Sequence, residues 1–166
     1  MARSENQKRK LLALKTILEQ QTNEAHPLSA QQLIDALAKQ GISAERKSIY
    51  DDLDCLQQLG MDICRRGGKD GGYYLGAREF ELPELTLLGD AVQASKFLSE
   101  RKTLQLIEKL ETLTNAWDAK RLRREVVVSG RVKTMNESVF YTVDAIHEAI
   151  AANCQITFRY FEWGVD

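Results

Sequence analysis

Apolar residues recur at helical spacing over the first part of the chain, which predicts three successive helices. The first helix covers residues 6–21, and its apolar face carries Leu11, Leu14, Ile17 and Leu18. A loop that ends at Pro27 follows it. The second and third helices are marked by start and stop signals of their own.

The second helix has a capping residue at its start. Ser29 is a residue type that caps helix N-termini, and Gln32 three positions later completes a capping box. Gly41 supplies the C-terminal stop. The buried stripe between these signals consists of Leu33, Ile34 and Leu37.

The third helix is predicted for residues 44–59, with Ser43 as its cap and Gly60 as its stop. Only Ile42 separates Gly41 from Ser43, so a tight turn that contains glycine joins the second and third helices. Two short helices joined in this way are typical of a helix-turn-helix.

The third helix has a buried and an outward face. At about 100° per residue, Ile49, Leu53 and Leu56 fall close together and predict the buried face. The outward positions of its N-terminal half carry Arg46, Lys47, Ser48, Tyr50 and Asp51. In a helix-turn-helix, this half of the recognition helix enters the major groove of DNA.

A short hairpin is predicted next, with strands at 61–66 and 73–76 and a glycine-rich turn at 67–72. A hairpin directly after the recognition helix forms the wing of a winged helix. Its cations are Arg65, Arg66 and Lys69. The predicted fold class is therefore mainly α with a small β wing (α+β).

The second half of the chain returns to helical spacing. Helices are predicted at 83–98, 101–115 and 143–153, extended backbone around Val126–Val128, and a strand at 155–161. The helices at 83–98 and 101–115 are candidates for dimerisation, although their apolar stripes could instead pack only on each other.

Composition permits DNA binding without pointing to it. The 166-residue chain has a formal net charge of −1, but residues 1–78 carry +2 and the remainder −3. A DNA-binding protein needs only a local basic surface. The three cysteines include no CxxC pair, which fits a reducing cytosol. We find no signal-peptide pattern and no apolar run long enough to span a bilayer.

The outward residues of the third helix suit contacts with double-stranded DNA. Arg46 and Lys47 can donate to guanine O6 and N7, and Asp51 can accept from cytosine N4. The hydroxyls of Ser48 and Tyr50 can donate to phosphate oxygens. The wing cations would contact the backbone or minor groove. Near Ser29, free N–H groups of the second helix could also meet a phosphate.

Each of these features also has an ordinary structural explanation. The third helix could simply expose a solvated charged face, and the glycine turn could be a plain hairpin loop. Asp51, Asp52 and Asp54 would repel phosphate. Asp51 could be neutralised by Lys47 at the i,i+4 spacing, or could read cytosine.

Signals for catalysis, metals and cofactors are weak. Gly68 and Lys69 do not form a phosphate-binding loop, because Asp70 stands where Ser or Thr is needed. His26 and His147 lie far apart and are expected at the surface. We therefore predict no catalytic residues, no metal site, no cofactor and no enzymatic activity.

Two motifs carry a resemblance to a known family. They are ERKSIYDDLDCLQQLGMDI, from residue 45, and GGYYL, which ends at Leu75. This pattern resembles the DeoR-like winged helices that head the WYL-domain transcriptional regulators of bacteria. The resemblance continues to VDAIHEAIAANCQITFRYFEW, which looks like the opening of a WYL domain. One departure is Asp51, where many relatives carry Arg.

The resemblance implies a domain organisation. We expect a winged helix-turn-helix at 1–78, a helical connector or dimerisation region at 79–125, and the incomplete N-terminal part of a WYL sensor domain at 126–166. The chain would stop early in this domain, so the pocket for a small-molecule or nucleotide effector would lie beyond Asp166.

The expected function is sequence-specific regulation of transcription by a cytoplasmic, nucleoid-associated homodimer. One alternative is a winged helix that binds another protein and no DNA, which the exposed acids Asp51 and Asp54 favour. A second alternative, an enzyme with a regulatory winged helix, lacks a nucleophile and base.

Overall fold

The computed structural model describes residues 2–68, 70–126, 133–136 and 138–159. These residues form seven α-helices and one two-stranded antiparallel sheet, so the chain is mainly helical with a small β component, as predicted. The elements in chain order are α1 (Ala2–Gln21), α2 (Ala30–Lys39), α3 (Arg46–Gln58), β1 (Ile63–Arg66), β2 (Gly72–Leu75), α4 (Leu82–Ala94), α5 (Glu100–Glu111), α6 (Ala116–Val126) and α7 (Ser138–Ala151).

The first three helices and β1 share one hydrophobic core. Its buried members are Leu14, Ile17, Leu18, Leu33, Leu37, Ile42, Ile49, Leu53, Leu56 and Ile63. The stripes predicted for the three helices supply most of this core. Ile34 is an exception, because it is only partly buried at the edge of the cluster. The helix α1 also begins earlier than predicted, at Ala2.

The N-terminal capping box and the C-terminal glycine predicted for α2 are both present in the structure. The Ser29 hydroxyl accepts a hydrogen bond from the Gln32 backbone N–H, and the Gln32 side chain accepts one from the Ser29 N–H at 2.8 Å. At the other end, Gly41 adopts φ +72°, which lets the Ile42 N–H reach the Leu37 carbonyl at 3.0 Å. This left-handed glycine ends the helix and directs the chain into α3.

The start of α3 differs from the prediction. Its N-cap residue is Glu45, not Ser43, and the helix begins at Arg46 rather than at residue 44. Its end is as predicted, with Gly60 at φ +94°. Arg46, Lys47 and Ser48 therefore occupy the first helical turn.

The hairpin lies beside the start of α2. β1 and β2 pair so that Arg65 faces Tyr73 and Arg66 faces Gly72. Tyr73 also exchanges two backbone hydrogen bonds with Leu28, at 2.8 and 2.9 Å. This bridge fixes the hairpin to the segment that leads into α2.

The helices α4, α5 and α6 pack around a second core of Leu85, Ile107, Leu122 and Val126. The helix α6 was not predicted. The sequence reading of extended backbone is wrong at Val126, which is helical and fully buried. Residues 127 and 128 lie outside the described residues. At Gly89 the helices α4 and α6 approach so closely that an added Cβ would lie 2.9 Å from the Val126 methyl groups.

Among the helices that the structure describes, α7 is the least buried, since none of its described side chains is buried. It touches α5 where the Lys102 ammonium lies 4.5 Å from the centre of the Phe140 ring. The strand predicted at 155–161 is wrong for residues 155–159, which adopt no regular structure. Residues 160 and 161 lie outside the described part of the chain.

Several contacts join the first core to the α4–α6 layer through the loop after α1. The imidazole of His26 stacks on Trp117 at 4.0 Å, and the Asn23 side chain donates to Asn115 at 3.4 Å. Arg78 donates to the carbonyls of Glu19 and Thr22 at 2.6 and 2.7 Å, at the C-terminus of α1. Burial lowers the pKa of Arg78.

Across the described ranges, no helix is both long enough and apolar enough to cross a membrane.

Candidate nucleic-acid interface

The outward face of α3 contains the cations that the sequence placed there. Arg46 and Lys47 are exposed, whereas Ile49 and Leu53 are buried against the first core. Asp51 is exposed on the same outward side. The predicted division of α3 into a buried and an outward face is therefore confirmed.

The first turn of α3 is electropositive for two reasons. Its leading N–H groups have no partner within the helix, and the aligned peptide dipoles place a partial positive charge there. Glu45, the N-cap, makes no side-chain capping bond to these groups. The Ser48 hydroxyl is already in use, because it donates to the Glu45 carbonyl at 2.8 Å. Ser48 would have to give up this bond to donate to a phosphate, as the sequence reading expected.

Two arginines and two tyrosines form a continuous series of contacts from α3 to the hairpin. The Arg46 Nε atom donates to the Tyr50 hydroxyl at 2.7 Å. The Tyr50 and Tyr73 rings lie 6.3 Å apart, tilted by 52°. The Arg65 guanidinium lies 5.9 Å from the centre of the Tyr73 ring. We call Arg46, Tyr50, Tyr73 and Arg65 the arginine–tyrosine stripe.

Both cations at the ends of the stripe are exposed and charged. The hydrogen bond to Tyr50 raises the pKa of Arg46. The Tyr50 hydroxyl accepts this hydrogen bond through its oxygen, which leaves its O–H available for the predicted phosphate contact. Planar guanidinium groups next to aromatic rings are well suited to nucleic-acid contacts.

The wing arginines do not form one basic surface. Successive residues of a strand point to opposite faces, and Arg65 shares its face with Tyr73. Arg66 lies on the other face, where its Nη1 atom donates to the Glu24 carbonyl at 3.1 Å. Lys69, the third expected wing cation, lies outside the described residues. Among the described cations of the hairpin, Arg65 alone belongs to the stripe.

Of the three acidic residues of α3 that would repel phosphate, Asp52 is largely buried and does not face the outward surface. The Asp52 carboxylate forms an ion pair with Lys10 of α1 at 2.8 Å, and both side chains are largely buried. Asp51 and Asp54 remain exposed. No ion pair between Lys47 and Asp51 occurs in the described part of the chain, so of the two alternatives for Asp51 the neutralisation by Lys47 is not observed, and contact with cytosine stays a prediction.

Ser29 serves as a helix cap. Both its hydroxyl and its N–H are engaged with Gln32, as described above. It lies beside Gly72, where an added Cβ would come within 2.6 Å of the Ser29 backbone nitrogen. Ser29 therefore caps α2, and the expected phosphate contact beside it stays a prediction.

Sequence reasoning missed two residues of this region, Tyr73 and Lys10. Tyr73 could have been found from strand alternation, because it lies opposite Arg65 in a hairpin of this register. Lys10 gave no comparable signal, because its pairing with Asp52 joins two helices that are far apart in sequence.

Comparison of the chain with protein-family models, with curated proteins and with solved structures gave no match.

Proposed function

We propose that residues 1–78 form a winged helix-turn-helix that binds double-stranded DNA, and that the protein is a sequence-specific transcriptional regulator. The observation that carries the proposal is the arginine–tyrosine stripe, which joins the first turn of α3 to the hairpin. In this proposal α2 and α3 are the helix-turn-helix, and β1 and β2 are the wing.

The arrangement supports a specific mode of contact. The first turn of α3 would enter the major groove, where Arg46 and Lys47 reach base edges. Arg65, at the other end of the stripe, would contact the phosphate backbone beside the groove. Asp51 is exposed next to these cations and would accept from a cytosine amino group.

The second half of the chain completes the proposal. The helices α4–α6 would connect the DNA-binding part to a partner copy in a homodimer, which would read two half-sites. The helix α7 and the residues after it would open a WYL sensor domain that responds to a small-molecule or nucleotide effector. Such a regulator would act in the cytoplasm on the nucleoid and would need no cofactor, metal or catalytic residue.

One observation favours a second function, the binding of another protein instead of DNA. Asp51 and Asp54 are both exposed on the outward side of α3, and carboxylates there repel phosphate. A winged helix that binds another protein and no DNA would explain them. The two functions differ in their dependence on salt, because only DNA binding releases counterions.

The test is a salt titration of binding to random duplex DNA. Arg65 and each further cation that contacts a phosphate should contribute roughly −0.9 to the slope of log affinity against log salt, so binding should weaken as salt rises. The double variant Arg46→Ala/Lys47→Ala should bind DNA more weakly than the wild type. The control is Lys120→Ala, which removes an exposed cation of α6 and should leave the affinity for DNA nearly unchanged. An absence of salt-dependent association by the wild-type protein would exclude DNA binding and favour the protein-binding module.

A further inference from the structure

The guanidinium of Arg46 is only partly committed within the protein. It carries five N–H groups, and the one on Nε donates to the Tyr50 hydroxyl at 2.7 Å. Within the described residues, the four N–H groups on Nη1 and Nη2 have no hydrogen-bond partner. The edge of the guanidinium group that contains Nε is therefore occupied. The opposite end, formed by Nη1 and Nη2, is free to donate hydrogen bonds to a ligand.

Tyr50 is itself held by the fold. It is partly buried and packs against the first core, and its ring lies next to Tyr73. Tyr73 in turn is fixed by β1 and by two backbone hydrogen bonds to Leu28. The position of the Tyr50 hydroxyl is thus set before Arg46 binds anything.

We propose that Tyr50 is a positioning residue that turns the end of Arg46 outward, so that Nη1 and Nη2 bind O6 and N7 of a guanine end-on. The inference rests on the proposed DNA-binding function and specifies one contact of it. A free arginine could also approach guanine through Nε and one Nη atom. As long as Nε donates to the Tyr50 hydroxyl, it cannot also donate to guanine, so only the approach through Nη1 and Nη2 remains.

Two kinds of acceptor pair on DNA fit a free guanidinium end. One is the O6 and N7 pair of guanine, and the other is a pair of phosphate oxygens. The position of Arg46 favours guanine, because it is the first residue of α3 and the N-terminal residues of a recognition helix contact base edges. Phosphate contact is the competing outcome that the experiment must separate.

The experiment begins with selection of a preferred duplex by the wild-type protein from a random library. Affinities for this duplex are then measured for Tyr50→Phe, which keeps the ring and removes the hydroxyl. Loss of this positioning hydrogen bond, taken at the ordinary net strength of a hydrogen bond within a protein, should weaken specific binding about three- to tenfold. Tyr141→Phe on α7 is the control, because Tyr141 is exposed, lies outside the stripe and makes no hydroxyl hydrogen bond among the described residues; it should bind like the wild type.

A double-mutant cycle with Arg46→Ala tests whether Tyr50 acts through Arg46. In the Arg46→Ala background, Tyr50→Phe should change the affinity less than twofold. An equal loss in both backgrounds would overturn the inference, because Tyr50 would then contact DNA by itself or act through stability. Thermal unfolding of each variant checks the second explanation.

Replacement of each guanine in the selected duplex by 7-deazaguanine identifies the acceptor. One position should weaken wild-type binding at least threefold and leave Arg46→Ala unaffected. If no such position exists, the guanine contact is wrong. A neutral methylphosphonate linkage that has this effect instead would show that Arg46 binds phosphate. If the wild-type protein selects no duplex and shows no salt-dependent association, the proposed function fails and this inference fails with it.

Discussion

Replacing Gly72 by alanine tests how closely the hairpin approaches α2. An added Cβ would lie 2.3 Å from the Leu28 carbonyl carbon, 2.4 Å from its oxygen and 2.6 Å from the Ser29 nitrogen. All three atoms belong to the backbone, so no side-chain rotation relieves the overlap. We expect β2 to move outward by about 1 Å, because overpacked sites respond with backbone shifts.

The cost of this movement follows from the bonds it breaks. The two hydrogen bonds between Tyr73 and Leu28 are worth about 0.5–1.5 kcal/mol each. Disturbance of the Ser29 cap adds about 1 kcal/mol. Gly72→Ala should therefore lower the free energy of unfolding by about 2–4 kcal/mol. For a chain of this length, the melting temperature should fall by roughly 5–15 °C.

The assay is thermal unfolding followed by circular dichroism, with Gly67→Ala as the matched control. A Cβ at Gly67 meets no atom within 4 Å, and its φ is outside the left-handed region. This control should be neutral or more stable by about 0.4–1 kcal/mol, because alanine restricts the unfolded chain. Equal melting temperatures for the two variants would show that the hairpin does not lie against Leu28 as described.

Three further predictions follow from other contacts. Lys10→Met should lower the free energy of unfolding by about 2 kcal/mol, because it leaves the largely buried Asp52 carboxylate unpaired; adding Asp52→Leu should restore most of the loss, as measured by urea denaturation. Arg65→Ala should flatten the salt slope of DNA binding by about 1, whereas Arg66→Ala should leave it unchanged; equal slopes for both variants would contradict the two-faced hairpin. Gly89→Ala should cost about 1–3 kcal/mol, because its Cβ would meet valine methyl groups of α6 at 2.9 Å; an unaltered melting temperature would show that α4 and α6 pack more loosely.

The elements with local signals could be predicted from the sequence. The Ser29 cap with Gln32 and the stops at Gly41 and Gly60 depend only on residues within one turn of the helix end. The buried stripes of the first three helices follow from spacing alone. These signals were sufficient to place α1, α2, α3 and the hairpin within a few residues.

The second half was harder because its decisive interactions are not local. The run of valines after Glu125 indicated extended backbone, yet Val126 ends α6 and is buried against Gly89 of α4. The sequence does contain a start signal for α6, the capping residue Asn115. The side chain of Asn115 accepts from the N–H groups of Trp117 and Asp118, both at 3.1 Å.

The candidate site could be predicted as a set of residues but not as an arrangement. Helical spacing placed Arg46 and Lys47 on the outward face of α3, where they lie. The contact between Tyr50 and Tyr73 depends on how the hairpin docks on α3, which no local pattern specifies. The separation of Arg65 from Arg66 was available from strand alternation alone.

The loop at residues 23–26 has neighbours on both sides. Glu24 accepts from Arg66 of the hairpin through its carbonyl, and His26 stacks on Trp117 at the start of α6. A rotation of α6 that keeps the two rings stacked would therefore strain the hydrogen bond between Glu24 and Arg66, at the turn end of β1. Two contacts, the His26–Trp117 stack and the Arg66–Glu24 hydrogen bond, thus connect α6 to the hairpin through one loop outside the core beneath α3.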